Sequence, residues 1–141
     1  MKSKIVILTP VYNDWKNLEK LLKKINRIFL KKLKRKFELV IVDDCSEESY
    51  SRNNFKLKTL NKIRVISLYK NVGSQRAIAI GLKYLISNNK NKNFVTLIID
   101  SDGQDNPTGI LKLINKHKDT NNSIVAKRGQ RKEDLWFKIF Y

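Results

Sequence analysis

An open, mostly parallel α/β sheet flanked by helices is the fold this sequence predicts, and three observations predict it. Short runs rich in Ile and Val recur at residues 5–8, 37–42, 63–68, 94–99 and 123–126. They are mostly unbroken rather than alternating, which suits strands buried on both faces of a parallel sheet. Helical spacing of apolar residues fills the intervals, and the connections are short, so the chain reads as a βαβ series.

The elements follow in order. The run at 5–8 feeds Thr9-Pro10-Val11-Tyr12-Asn13. Beyond it Leu18, Leu21, Leu22, Ile25, Ile28 and Phe29 keep the spacing of an amphipathic helix, with Lys and Glu on the other face. Asn13 or Asp14 is a fitting N-cap. The second run ends in Asp43-Asp44-Cys45-Ser46, and residues 47–62, of weaker periodicity, read as a short helix with loops. The third run precedes Asn71-Val72-Gly73, after which a helix starting near Ser74 carries Ala77, Ile78, Leu82, Leu85 and Ile86. The Asn-Lys stretch at 88–93 is a loop. The fourth run hands off to Asp100-Ser101-Asp102-Gly103-Gln104-Asp105, and Pro107, suited to a first helical position, opens a helix with Ile110, Leu111 and Ile114. A fifth strand is expected at 123–126.

At 141 residues the chain is expected to be one domain, large enough to bury a core. No stretch approaches the roughly 18 apolar residues of a membrane span, and the first strand is too short for the apolar core of a signal peptide. The single Cys45 excludes an internal disulfide framework and points to a reducing cytoplasm. Asp43 and Asp44 beside it disfavour a thiolate, so it reads as a passive small residue. A net charge of +17 would attract polyanions. Yet Lys, Asn and Ile are all abundant, A/T-rich codons encode all three, and no aromatic interleaving or RNA-binding signature accompanies the lysines. They read as a solvated face, with attraction to an anionic membrane surface as a consequence; no nucleic-acid partner is expected. His117 lies on a Lys-rich helix face and receives no role.

Each of the first four strands ends in a polar cluster. Open α/β sheets bind ligands outside the carboxyl ends of their strands, where strand order reverses, so four such clusters together are what a nucleotide site needs. Asp100 and Asp102, one residue apart after a buried strand, suit a hard cation. Mg²⁺ is held by one or two carboxylates plus substrate phosphates, and oxygen donors suit Mn²⁺ as well.

Four motifs carry a resemblance: Thr9-Pro10-Val11-Tyr12-Asn13, Val42-Asp43-Asp44-Cys45-Ser46, Asn71-Val72-Gly73-Ser74-Gln75-Arg76-Ala77 and Asp100-Ser101-Asp102-Gly103-Gln104-Asp105. In this order the chain resembles, along essentially its whole length, the nucleotide-sugar-binding part of family-2 glycosyltransferases with the GT-A fold. The last motif with Asn106-Pro107, Arg128-Gly129-Gln130-Arg131 and the ending from Trp136 to Tyr141 are similar to the branch that moves a sugar onto polyprenyl phosphate (dolichyl-phosphate mannose synthase and its bacterial relatives). The resemblance implies an inverting hexosyltransferase that depends on Mg²⁺ or Mn²⁺. Its donor would be a UDP- or GDP-linked sugar and its acceptor polyprenyl phosphate or another glycan, in the cytoplasm or at the inner face of the membrane.

Roles follow from the resemblance residue by residue. Asp43 contacts the base or ribose, and Pro10, Tyr12 and Asn13 line the nucleotide pocket, with Tyr12 against the base. Asp100, Ser101 and Asp102 bind sugar or ribose, and Asp100, Asp102 and Gln104 hold the metal-diphosphate. Asp105 either joins that cluster or caps the next helix. Gly73 allows close backbone approach, and Arg76 faces a carboxylate or phosphate. Arg128 and Arg131 reach phosphates of donor or acceptor, for which guanidinium forks are suited. An acceptor phosphate monoester, with a second pKa of about 6, needs no general base, and no His or Glu stands out as one.

Members of this family continue beyond the region present here, so residues 1–141 are expected to be one nucleotide-sugar-binding domain whose acceptor part is missing. A helix ending in Trp136, Phe137, Ile139 and Phe140 would expose apolar surface to a membrane or a subunit. The alternative function is a truncated module that binds donor without transfer. A basic nucleic-acid binder would show steep salt dependence but leaves Asp100 and Asp102 unexplained. A nucleotidyltransferase would open with a Gly-rich loop, which residues 9–13 are not.

Overall fold

The computed structural model describes residues 3–48, 55–89, 93–103, 107–120 and 122–126. Four strands, β1 (Lys4–Val11), β2 (Phe37–Asp43), β3 (Leu60–Ser67) and β4 (Phe94–Ile98), pair in parallel in the order β3-β2-β1-β4. The helices are α1 (Trp15–Ile28), continued by a π-helical turn (Phe29–Leu33), α2 (Ser74–Asn88) and α3 (Pro107–Thr120). The α/β class expected from the sequence is the one observed. The chain forms two compact units, residues 1–108 and 109–141.

In the first unit β1 and β2 are buried almost end to end, as central parallel strands covered on both faces must be. Val6, Leu8, Val40 and Val42 point to one face and pack with Ala77 and Leu85 of α2. Ile5, Ile7, Leu39 and Ile41, on the other face, are equally buried. The step from β1 to β2 and the step from β3 back to β4 cross the sheet in opposite senses. Right-handed crossovers therefore set α1 and α2 on opposite faces, and α1 covers the second with Leu18, Leu21, Leu22 and Ile25, all wholly buried. Each such side chain contributes about 1.5–3 kcal/mol. Phe29 meets Phe37 edge-on, with ring centroids 4.8 Å apart. Lys34 then turns left-handed (φ 48°) and its N–H closes on the Phe29 carbonyl, which ends the helical segment.

Near the amino ends of the strands, the buried Glu38 carboxylate accepts from Arg64 (2.9 Å) and Lys4 (3.3 Å). Burial alone pushes its pKa up. The hydrogen bonds and charges of Arg64 and Lys4 outweigh that and hold it below the ordinary carboxylate value.

Several expectations need correction. Residues 123–126 form no strand, and Val125 is 89% exposed; the three consecutive apolar residues Ile124, Val125 and Ala126 are too short a signal to hold an edge. β1 runs past Leu8 through Pro10 to Val11. Within 47–62 the described residues show an irregular return into β3, held on α1 by Asn26, whose Oδ1 accepts from the Thr59 N–H (3.0 Å) and hydroxyl (2.6 Å); residues 49–54 lie outside the described residues. Asp14 is the N-cap of α1 by position, but its carboxylate accepts from the Asn17 side chain rather than from a backbone N–H. In the second unit Ile110 and Ile114 are the buried positions of α3, and His117 Nδ1 stands 2.9 Å from the Asn122 carbonyl oxygen just past the helix.

Candidate functional site

β1 pairs with β2 on one side and β4 on the other, whereas the chain visits β2 and β3 before returning to β4. Strand order therefore reverses between β1 and β4, and the crevice outside their carboxyl ends is where such sheets bind ligands. Pro10 fits the parting of these two strands. Pairing of β1 with β4 ends at Leu8 and Ile98, and the Leu8 carbonyl takes the Ile99 N–H at 3.1 Å. Backbone groups alternate sides along a strand, so Pro10 faces β4 as Leu8 does, one step beyond the last pair. Its missing N–H removes no ladder bond there. On the β2 side pairing continues to Val11, whose carbonyl accepts from the Asp44 N–H (2.8 Å).

Tyr12 follows, half exposed at 51%. Asn13 adopts a left-handed backbone (φ 53°), which Asn tolerates better than most residues. Its N–H donates to Ser46 Oγ (3.0 Å) and its Oδ1 accepts from the Glu47 N–H (2.8 Å), so the loops after β1 and β2 are tied to each other. Asp43 is buried, and its Oδ1 accepts the N–H of Ser46, three residues on, at 2.9 Å, which closes the turn that ends β2. Asp44, 3% exposed, takes the N–H groups of Val72 (2.7 Å) and Gly73 (2.8 Å) on its two oxygens. That staple draws the third polar cluster to the same edge. Gly73 sits at φ 86°, a conformation L side chains rarely adopt, and α2 starts at the next residue with Arg76 exposed on its first turn.

After β4, Asp100 and Asp102 are exposed and Ser101 is half-buried. Gly103 turns the chain at φ 75°, and a Cβ there would stand 3.8 Å from the Asn17 carbonyl oxygen, so the acidic turn lies against the start of α1. Pro10, Tyr12, Asn13, Asp43, Gly73, Arg76, Asp100, Ser101 and Asp102 thus share one edge of the sheet. Gln104, Asp105, Arg128 and Arg131 lie outside the described residues. Among the described residues no three His, Cys, Asp or Glu side chains gather into a cation site of their own.

Two residues had no assigned role in the sequence. Asp44 carried one faint signal: consecutive strand residues point to opposite sides, so one of two adjacent strand-end carboxylates must be satisfied away from the crevice. Trp15, 6% exposed, donates its indole N–H to the Glu48 carbonyl (2.9 Å). It closes one side of a cleft of about 410 Å³ that Asn13, Asn17, Lys20 and Glu47 also line.

The family model for glycosyl transferase family 2 matches residues 6–139. An uncharacterised glycosyltransferase of Synechocystis sp. is 28% identical over 141 residues, 99% of this chain and 42% of the relative. The undecaprenyl-phosphate 4-deoxy-4-formamido-L-arabinose transferase of Proteus mirabilis is 26% identical over 138 residues, 96% of this chain and 40% of that one. Among solved structures, S. aureus TarS 1–349 in complex with UDP matches with a TM-score of 0.53 at 26% identity, over 82% of this chain and 33% of TarS. Its complex with UDP-GlcNAc gives 0.54 at 24% identity, over 82% and 32%. The parallel sheet flanked by helices is thus the GT-A arrangement, and the chain spans about two fifths of the length of the curated relatives it matches.

Proposed function

This chain belongs to glycosyl transferase family 2, and from that premise we propose that it binds a nucleotide-diphosphate sugar in the crevice between β1 and β4 for transfer of the sugar to polyprenyl phosphate. One observation carries this reading: Tyr12, Asp43 and the Asp100–Asp102 turn meet at one sheet edge, at the reversal of strand order. The Asp43 carboxylate, fixed by Ser46, accepts from a base N–H or a ribose hydroxyl. The exposed ring of Tyr12 offers the base a flat apolar face. Pro10 and Asn13 shape the pocket wall, and Gly73 and Ser101 let donor groups approach closely. Arg76, Arg128 and Arg131 grip phosphates.

Asp100, Asp102 and Gln104 would hold Mg²⁺ or Mn²⁺. Two exposed carboxylates one residue apart on a glycine-ended turn suit a hard cation of the kind held by one or two carboxylates plus substrate phosphates. When bound, the cation supplies Lewis-acid neutralisation of the diphosphate leaving group. UDP is the nucleotide favoured by the TarS complexes. Polyprenyl phosphate is favoured by the Proteus relative and by the Asp100–Pro107 motif. In the transfer an acceptor phosphate oxygen bonds to the anomeric carbon as the bond to the diphosphate breaks, with inversion and without a general base. The reaction calls for a cytoplasm-facing site within reach of the membrane.

Calorimetric titration of UDP-glucose, UDP-GlcNAc and GDP-mannose, with and without Mn²⁺, tests the proposal on the wild type and on Asp102→Ala. Metal-dependent binding that disappears in the variant is expected. A folded protein that binds none of the three with metal present would overturn the reading, and binding without turnover would mark a donor-binding module.

A further inference from the structure

We propose that the solvent face of α1 is a docking surface for an anionic lipid bilayer. Between Lys16 and Lys36 the chain carries ten basic residues and one acid, Glu19. α2, of similar length to α1, carries only Arg76 and Lys83. A codon bias toward Lys acts on the whole chain and does not by itself produce that concentration.

The placement is as uneven as the count. At about 100° per residue in α1, Lys16, Lys20, Lys23, Lys24 and Arg27 fall within about 100° of arc, and Lys31 follows in the π-helical turn. All six are exposed, on the side away from the buried Leu18, Leu21, Leu22 and Ile25. Glu19 pairs with Lys23 at 2.6 Å, and it is the one acidic residue in the segment. The stripe is about 22 Å long, at about 1.5 Å per residue. A solvated helix face ordinarily mixes both signs of charge; this one presents a single sign to a plane.

A bilayer fits the stripe better than a nucleic acid does. Leu30, 41% exposed, lies on its rim between Arg27 and Lys31, where an acyl boundary can take an apolar side chain and a phosphodiester backbone cannot. No aromatic residue lies in the stripe to stack on a base. α1 also begins at Trp15, directly after the loop that bears Tyr12 and Asn13. A helix lying on the headgroups therefore holds the mouth of the crevice close to them. Docking does not require donor binding, so its test and the donor titration succeed or fail separately.

The test is co-sedimentation of the full chain with vesicles of phosphatidylcholine alone or mixed with phosphatidylglycerol, at low and at physiological salt. Each basic residue near an anionic surface is worth about a fivefold gain in partitioning (about 1 kcal/mol). Removing three from the stripe (K20Q/K24Q/R27Q) should therefore weaken binding to the mixed vesicles about a hundredfold. Removing three from α3 (K112Q/K116Q/K118Q) should weaken it less than tenfold, with circular dichroism unchanged in both. Three results would overturn the proposal: equal loss in the two variants, no preference for phosphatidylglycerol, or duplex DNA displacing the vesicles through the same α1 residues.

Discussion

Replacing Asp44 with Asn should cost the fold more than the same change at Asp43, although the two stand side by side. Asp44 is 3% exposed and serves two backbone donors, the N–H groups of Val72 at 2.7 Å and Gly73 at 2.8 Å. A hydrogen bond to a charged group is worth about 1.5–3 kcal/mol. Asn keeps one acceptor but turns an NH₂ toward the other donor, so one bond is lost and two donors face each other. The expected cost is about 2–3 kcal/mol for Asn and about 3–5 kcal/mol for Ala, which loses both bonds. For a chain of this size about 1 kcal/mol moves the melting temperature by roughly 2–6 °C, so Asp44→Asn should melt roughly 4–18 °C below wild type. Asp43→Asn keeps the acceptor for the Ser46 N–H and should lose less than about 1 kcal/mol while donor affinity falls. Urea unfolding and thermal melts read the first effect and calorimetry the second. An Asp44→Asn protein melting within about 1 °C of wild type, or an Asp43→Asn protein destabilised more, would refute the staple.

Gly73→Ala places a Cβ in open space but at φ 86° and ψ 152°, a region essentially confined to glycine, so the cost is conformational alone, about 1–3 kcal/mol, read by urea unfolding. Gly81→Ala brings a Cβ 2.5 Å from Leu8 Cδ1 and 3.0 Å from Val42 Cγ2. Overpacking of about 1–3 kcal/mol outweighs the helix-propensity gain of about 1 kcal/mol, so melting should fall. Gly109→Ala, with nothing within 4 Å, should stabilise α3 by about 0.5–1 kcal/mol; a stabilised Gly81→Ala would contradict the close approach of α2 to the sheet. Glu38 has a folded-state pKa below its ordinary 4.5. Its contribution is therefore complete above that value and is lost as pH falls through the folded value. Melting temperature followed into acid should fall less steeply for Glu38→Gln than for wild type; equal slopes would remove Glu38 from the account.

Much of this fold could be read from the sequence because burial on both sides of β1 and β2 writes itself as unbroken apolar runs, and burial on one side of α1 as a stripe. What could not be read has identifiable reasons. Pro10 looks like the end of a strand, since a proline inside a central strand should break a ladder. It breaks none because β4 has already stopped. Residues 123–126 looked like a strand because local pattern cannot report whether a partner lies alongside. The return through Thr59 depends on Asn26, a side-chain tie across more than thirty residues that no periodicity carries.

The site was legible to the same depth. Polar clusters at strand ends announce a ligand, and their residue types announce its chemistry, but the order of strands decides which clusters face one another. With β4 beside β1, the acidic turn and the Asp43 loop approach Tyr12 from two sides. Had β4 joined the far side of β3, the same four motifs would lie spread along the sheet edge, and Asp100 would sit three strands from Tyr12. The carboxyl-end crevice exists because the chain reverses there. Pro10 ends the possibility of ladder bonding to β4 just where that reversal must open. A substitution that restores an N–H at Pro10 therefore adds a donor facing the crevice, and its effect should be seen in donor affinity sooner than in stability.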